Sequence, residues 1–565
     1  MTRTPEIELK LNAGPDAFQA VLDWLRDQAG FQPSEPSVTV LDDTYYDTPD
    51  RWFLRAGAAL RLRRTDESAE ISLKALDPPR GGIATRLEIK GPLARRPPGR
   101  IRRIPAGPIR EYLDACGAPL TVRPLFRLWT ERTVVHCSDA SGARLEACCD
   151  RAELDAPGRG RDTFDEIEIE HCAGNEVRHA GLMRALARSL GLDPSQSSKF
   201  QRGLSLLPPH ENPDTGPLSG PPPPARLADL ARPGVRLVDT AYEVLRFHYD
   251  EMLRNEPGTR LGIDIERLHD MRVASRRLRT ALRVFEHALP AARKAAFEKE
   301  LRWITDALGP VRDLDVYLAS LASHARDIAP DDVPHLADYR HVIEERRERA
   351  RRTMLDALDS ARYGRFKDRF RRWLNRGAPN RPRAPLAAAP VEQGAARLLL
   401  DVRDTVLKRG KRARKKTTVR RLHRLRIACK RLRYTCEWFS ALYGKPYRKY
   451  IKAVRDLQDL TGDHHDAVVG SEQIRHVVHE NGNIPATIVL AMGQVLAEKR
   501  EIIAQTEAAF PKAWKRFTRK KTQARLLDCL ARPAELPGQG ASGQATQSTD
   551  AADLTPPPRP ANGTA

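Results

Sequence analysis

Glu6-Ile7-Glu8-Leu9-Lys10 sets two carboxylates and an ammonium at every second position. Alternate side chains of a β-strand point to one face. Glu6, Glu8 and Lys10 would therefore share a side, with Ile7 and Leu9 on the other. The pattern returns at Glu166-Ile167-Glu168-Ile169-Glu170. Two carboxylate-lined strands could offer hard oxygen ligands to a divalent cation such as Mg²⁺. For either strand alone, water on the charged face is the simpler outcome.

Four more segments alternate in the same way. Arg61 and Arg63 share a face, as do Ser72 and Lys74, then Arg86, Glu88 and Lys90, then Glu146, Cys148 and Asp150. Leu60, Leu62, Ile71, Leu73, Leu87, Ile89 and Leu145 fall on the opposite faces. One arrangement turns every charged face to solvent. Another closes the sheet, so that the charges line a shared interior and helices cover the apolar outside. That interior needs compensation, because an unpaired buried charge is very costly. Carboxylates on Mg²⁺ and arginines on phosphate would supply it.

These strands need a frame. Residues 1–206 read as one α+β domain, with turn-rich stretches between short strands and helices near 16–28 and 176–190. Residues 207–225 read as a linker whose Pro-rich stretch, Pro208 to Pro224, ends in four consecutive prolines. Residues 226–530 carry long 3.6-residue periodicity, broken by four prolines in 377–390 into units of about 226–376 and 391–530. Residues 531–565 have the composition of a disordered tail.

Charge divides the chain as well. Residues 1–210 hold 30 Lys and Arg against 30 Asp and Glu, so the whole net charge of +22 belongs to the rest. A polycation attracts polyanions. Nucleic acid, acidic lipid and polyphosphate all fit at this level. No apolar run is long enough for a membrane helix, and the N-terminus has no secretory-signal pattern. Eight cysteines without C-x-x-C spacing read as reduced thiols. A cytoplasmic location is expected.

The helical region repeats itself. Arg267-Leu268-His269-Asp270-Met271-Arg272 through Arg279 matches Arg421-Leu422-His423-Arg424-Leu425-Arg426 through Arg433, and Gly309-x-x-x-Asp313 matches Gly462-x-x-x-Asp466. Offsets of 154 and 153 residues mark a duplicated unit. His269, Arg272, Arg276, Arg279 and Arg283 fall on one helix face; His423, Arg426, Lys430 and Arg433 repeat it. The run 408–421 is strongly basic and suits any polyanion.

Glu6-x-Glu8-x-Lys10 resembles the signature of the CYTH family, the triphosphate tunnel metalloenzymes. Tyr45-Tyr46-Asp47-Thr48, Arg61-x-Arg63, Lys74, Arg86-x-Glu88, Arg132, Asp150, the Glu166–Glu170 strand and Ser198-Lys199 with Arg202 continue it in order. The resemblance implies a closed antiparallel β-barrel with charges inside. It implies Mg²⁺ or Mn²⁺ on Glu6, Glu8, Glu168 and Glu170, with triphosphate gripped by Lys10, Arg61, Arg63, Lys74, Arg86, Arg132 and Lys199. Glu6, Glu8 and Lys10 would form the catalytic set. Glu166 and Glu170 share a face, and either could be the closer ligand.

The duplicated region resembles the CHAD family, an all-α duplicated helical bundle. That resemblance implies inorganic polyphosphate on His269, Arg272, Arg276, Arg279, His423, Arg426, Lys430 and Arg433. Together the two parts resemble bacterial inorganic triphosphatases. The expected activity is hydrolysis of inorganic triphosphate to pyrophosphate and phosphate, with association to polyphosphate granules and only non-specific contact with nucleic acid. The alternatives are a non-catalytic polyphosphate-binding protein and an enzyme of nucleotide or thiamine triphosphates.

Overall fold

The computed structural model describes residues 2–76, 83–94, 97, 99–195, 197–207, 231–324, 333–480 and 486–531. The Pro-rich linker and the C-terminal tail lie outside them, apart from Leu207 and Ala531 at their edges.

Eight strands close into a ring: β1 (Thr2–Leu11), β3 (Ser37–Asp47), β4 (Ala58–Arg64), β5 (Ala69–Ala75), β6 (Ile83–Pro92), β7 (Arg123–Ser138), β8 (Arg144–Ala156) and β9 (Gly160–Ala173). Their order is β7-β3-β4-β5-β6-β1-β9-β8, and β8 returns to β7. Every pairing is antiparallel. The two-residue β2 (Gln32–Pro33) only extends the sheet beside β7. Closure removes free edges and fixes an inside and an outside for every strand.

The outside is apolar, and helices bury it. Ile7, Leu9, Ile167 and Ile169 pack with Phe18, Val21 and Leu25 of α1 (Pro15–Ala29) and with Met183 and Leu186 of α4 (Glu176–Ser189). Leu60, Leu62, Ile71, Leu73 and Ile89 pack against Phe53 of α2 (Trp52–Arg55) and Ile109 and Leu113 of α3 (Pro108–Ala115). A fifth helix, α5 (Lys199–Ser205), opens with a capping box made by Ser198 and Gln201. The closed arrangement, with charges inward, is the one adopted.

The helical part repeats with the period of the sequence. α6 (Leu237–Leu261) and α7 (Ile265–Val284) each begin and end 154 residues before α11 (Val391–Lys415) and α12 (Val419–Trp438). α8 (Ala291–His324), α9 (Val333–Asp359) and α10 (Ala361–Asn375) complete the first repeat. α13 (Lys445–Glu480), α14 (Ala486–Phe517) and α15 (Lys520–Ala531) complete the second. One apolar core joins the repeats, with Leu268, Leu278, Leu422, Leu432 and Trp438 at 4% exposure or less. Among the described residues no helix is long and apolar enough to cross a membrane.

Barrel and helices also meet directly. Leu261 and Ile263 join the core under α2 and α3. Tyr112 Oη donates to the Leu261 carbonyl. Arg351, 4% exposed, donates to Cys116 Sγ at 3.2 Å and to the Leu261 carbonyl at 3.2 Å. Gly258 permits this approach: a Cβ there would lie 2.8 Å from the Ala56 carbonyl and 2.5 Å from Arg267 Cγ. Gly258→Ala is expected to destabilise the docked protein by about 1–3 kcal/mol through overpacking, read by urea unfolding. A change within about 0.5 kcal/mol would place the constraint elsewhere.

Candidate active site and basic groove

The barrel interior holds a cavity of about 170 Å³. All eleven residues expected there line it: Glu6, Glu8, Lys10, Arg61, Arg63, Lys74, Arg86, Arg132, Glu168, Glu170 and Lys199. With Lys90, Glu88 and Glu146, the wall carries eight basic and six acidic side chains. The basic excess suits an anion, and the carboxylates suit a cation that accompanies it.

Strand alternation and register bring these groups together. Glu8 lies across from Glu170, and Lys10 from Glu168, between β1 and β9. On the other side Glu6 faces Arg86 of β6. Lys10 bonds Glu168 and stands 3.0 Å from Glu8. Lys199, at the start of α5, donates to Asp150, Glu166 and Glu168 at 2.7 Å each. Arg132 forks onto Asp150 at 2.7 and 2.6 Å and also reaches Glu168. Lys74 pairs with Glu6 and lies 3.3 Å from Glu8. Arg61 reaches Glu88 at 3.1 Å.

These pairs set the protonation states. Burial alone would raise the Glu8 carboxyl, but Lys10 and Lys74 outweigh it and hold it at about 2. Burial also opposes the charge of Glu168, and Lys10, Lys199 and Arg132 hold it well below the carboxylate range. Glu170 goes the other way. Burial, and then the neighbouring charge of Glu6, push it up to about 7. At Glu170, burial and the neighbouring charges of Glu6 and Glu8 outweigh the relief that Lys90 and Lys74 give. The donor set of Glu6, Glu8 and Glu170 fits a hard divalent ion. Glu166 is fully buried and bonds Lys199, and it is not part of the wall; Glu170 is.

Tyr45, Ala59, Ala75, Leu76 and Phe200 form an apolar section of the wall. The Tyr45 and Phe200 rings stand 5.3 Å apart. Asp43, just behind the wall, has no part in the sequence motifs above. It lies two residues before Tyr45 on the same strand, so strand alternation turns it to the same side as Tyr45.

The second site lies between the repeats, in a groove of about 770 Å³. His269, Arg272, Arg276, Arg426 and Lys430 line it, together with Arg312, His465 and Lys499. The duplicated motif explains its symmetry: Arg272 meets Asp313 at 3.1 Å, and Arg426 meets Asp466 at 3.0 Å. Burial, and then Arg276 and Arg426, push the Lys430 ammonium down to about 6. Three expected residues do not line the groove. His423 stands behind it, with Nδ1 3.1 Å from His465 Nδ1. Arg433 lies over the Tyr434 ring and 3.7 Å from Glu437. Arg279 lies farther along α7, beside Arg283 and Arg302. In the basic run 408–421, Arg421 caps α11 by donating to the Arg412 and Lys416 carbonyls at 3.1 Å.

A closed antiparallel tunnel of paired charges, followed by a duplicated helical bundle, defines a two-domain architecture. Residues 4–204 match the CYTH domain model and residues 243–475 the CHAD domain model, so the chain carries a CYTH domain followed by a CHAD domain. An uncharacterized protein of Mycobacterium tuberculosis is 27% identical over 456 residues, 77% of this chain and 81% of that protein. The inorganic triphosphatase of Haemophilus influenzae is 26% identical over 201 residues, 36% of this chain and 54% of that protein. The crystal structure of a CHAD domain from the plant Ricinus communis is 28% identical, spans 52% of this chain and 96% of its own, and superposes with a TM-score of 0.44.

The raised Glu170 carboxyl gives a signed pH effect. It ionises near 4.5 when free and at about 7 in the fold. Between those values the unfolded chain has already released the proton, so rising pH favours unfolding. Glu170→Gln is expected to flatten the loss of stability between pH 5 and pH 8, measured by urea unfolding in chelator. Identical pH slopes for variant and wild type would contradict the placement of Glu170 beside Glu6.

Proposed function

We propose that the tunnel is a metal-dependent triphosphatase that hydrolyses inorganic triphosphate to pyrophosphate and phosphate. The observation that carries this reading is the cavity wall itself: eight basic side chains against six carboxylates, all turned into one closed interior. A compact, highly charged anion with its own divalent ion satisfies both halves. The Haemophilus relative, described as an inorganic triphosphatase, supports the same reading for the CYTH part.

Each residue then has a task. Glu6, Glu8, Glu168 and Glu170 hold the metal. Lys74, Arg86 and Arg132 turn from their wall carboxylates to the phosphate oxygens, and Arg61 and Arg63 reach the same oxygens beside Asp43. Lys10 and Lys199, each beside Glu168, keep the metal-side carboxylates ionised and contact the substrate. A bound Mg²⁺ or Mn²⁺ supplies charge neutralisation and Lewis acidity at the terminal phosphoryl group. Charge building on the transferring group is met by the arginines. Glu6→Ala and Glu8→Ala are each expected to lower phosphate release from tripolyphosphate by about 100-fold or more. Full activity in either would remove that residue from the metal set.

The apolar section with Tyr45, Leu76 and Phe200 favours a second reading, in which it seats the organic part of a nucleotide or thiamine triphosphate.

For the helical domain we propose binding of inorganic polyphosphate, which holds the enzyme at polyphosphate granules. The groove gathers cations faster than it relieves them, and a regularly charged chain suits two facing rows of Arg and Lys. Lys430 should regain a proton when a polyanion arrives. Calorimetry with long-chain polyphosphate at pH 8, in buffers of different ionisation enthalpy, is expected to show uptake of about one proton. Lys430→Met should abolish that uptake. Equal proton linkage in both proteins would contradict Lys430 as a contact.

A further inference from the structure

Asp43 lies on β3 directly across from Arg63 on β4. It is 1% exposed and forms no part of the cavity wall. Arg63 donates to it twice, Nε at 2.8 Å and Nη2 at 2.7 Å. Arg61 Nη1 approaches the same carboxylate at 3.7 Å. On the far side β7 presents Leu128, which is fully buried. Burial would raise the Asp43 carboxyl, but Arg63 and Arg61 outweigh it and hold it below its ordinary range.

The two arginines are held unequally. Arg61 also pairs with Glu88, which lines the cavity. Among the described residues Asp43 is the only ion-pair partner of Arg63. A guanidinium carries five N–H donors in a flat fork. The edge formed by Nε and Nη2 is committed to Asp43, which leaves Nη1 and the second Nη2 hydrogen for another acceptor. The wall carboxylates Glu6, Glu8 and Glu168 must exchange partners when metal and phosphate enter. Asp43 stands behind the wall and need not.

We infer that Asp43 is the positioning residue of the tunnel's arginine pair: a buried anchor that does not touch the phosphate but fixes where Arg63, and with it Arg61, can grip it. This rests on the triphosphatase reading above. A bidentate anchor restricts the guanidinium to one plane and one edge. Without it, Arg63 loses its ion-pair partner and the two guanidiniums repel each other, with Arg61 held by Glu88 alone.

The test is a double-mutant cycle in the full chain, with kcat and KM for magnesium tripolyphosphate and a thermal midpoint for each protein. Asp43→Asn keeps size and removes the charge. It is expected to raise KM by about tenfold, with a smaller change in kcat. In an Arg63→Met background the same change should shift KM by less than about twofold, because the group it acts through is gone. Where Asp43→Asn alone is poorly folded, Asp43→Glu, which keeps the charge and displaces the carboxylate by one methylene, takes its place in both arms of the cycle with the same expected KM pattern. An equal KM effect with and without Arg63, or an active Asp43→Asn protein with unchanged KM, overturns the inference while leaving the triphosphatase reading intact. A wild-type protein that neither binds nor hydrolyses tripolyphosphate overturns that reading and this inference with it.

Discussion

Fourteen charged side chains share the wall of one small cavity, and the rest of the barrel exists to keep them there. Separate buried charges would each cost several kcal/mol, and only close pairing offsets that. Eight strands closed into a ring give every inward position two strand neighbours, and Glu6, Glu8 and Glu168 each find a cation on their own strand or across the barrel. The helices serve the same constraint from outside. With α1, α4, α2 and α3 covering the apolar faces, alternation leaves the charged faces nowhere to go but inward.

The tunnel and the groove differ in electrostatic state. In the tunnel, opposite charges are interleaved. Glu8 and Glu88 are held at about 2, and Lys10 well above its usual range. Phosphate alone would have to compete with those carboxylates, so an anion that arrives with a divalent ion has the advantage. In the groove the cations are crowded. Lys430 falls to about 6, and Arg426 is lowered as well, first by burial and then by neighbouring cations despite Asp466. A polyanion relieves that crowding with no metal required. Under the proposed function the tunnel would exchange ion pairs for its ligand and the groove would attract one, and the docking of Leu261 and Arg351 against α3 and Cys116 joins the two domains.

Much of this is legible in the sequence. Parity along six short segments gave the inward charges, and the 154-residue offset gave the two matching helix pairs. What was not legible has particular causes. β7 was missed although it is 16 residues long, because Pro124, Phe126 and the adjacent Val134-Val135 blur its alternation. Asp43 escaped because Asp42 and Thr44 flank it with polar side chains, so no apolar–polar alternation marks its face. Arg279 and Arg433 share a helical face with the groove residues, yet a straight helix face is longer than the groove it meets; Arg433 turns to Glu437 and Tyr434 instead. The contact of barrel with bundle leaves no local pattern, since Gly258, Tyr112 and Arg351 are far apart in the chain.

The central claim is that inward-facing charges, paired with each other at rest, are a site for a metal-bound triphosphate. A panel of tripolyphosphate, ATP, thiamine triphosphate and long-chain polyphosphate, each with Mg²⁺, Mn²⁺ or chelator, tests it most directly. The account predicts phosphate release that is fastest from tripolyphosphate and stops in chelator. Tight binding of tripolyphosphate without turnover in either metal, or hydrolysis that persists in chelator, would contradict it.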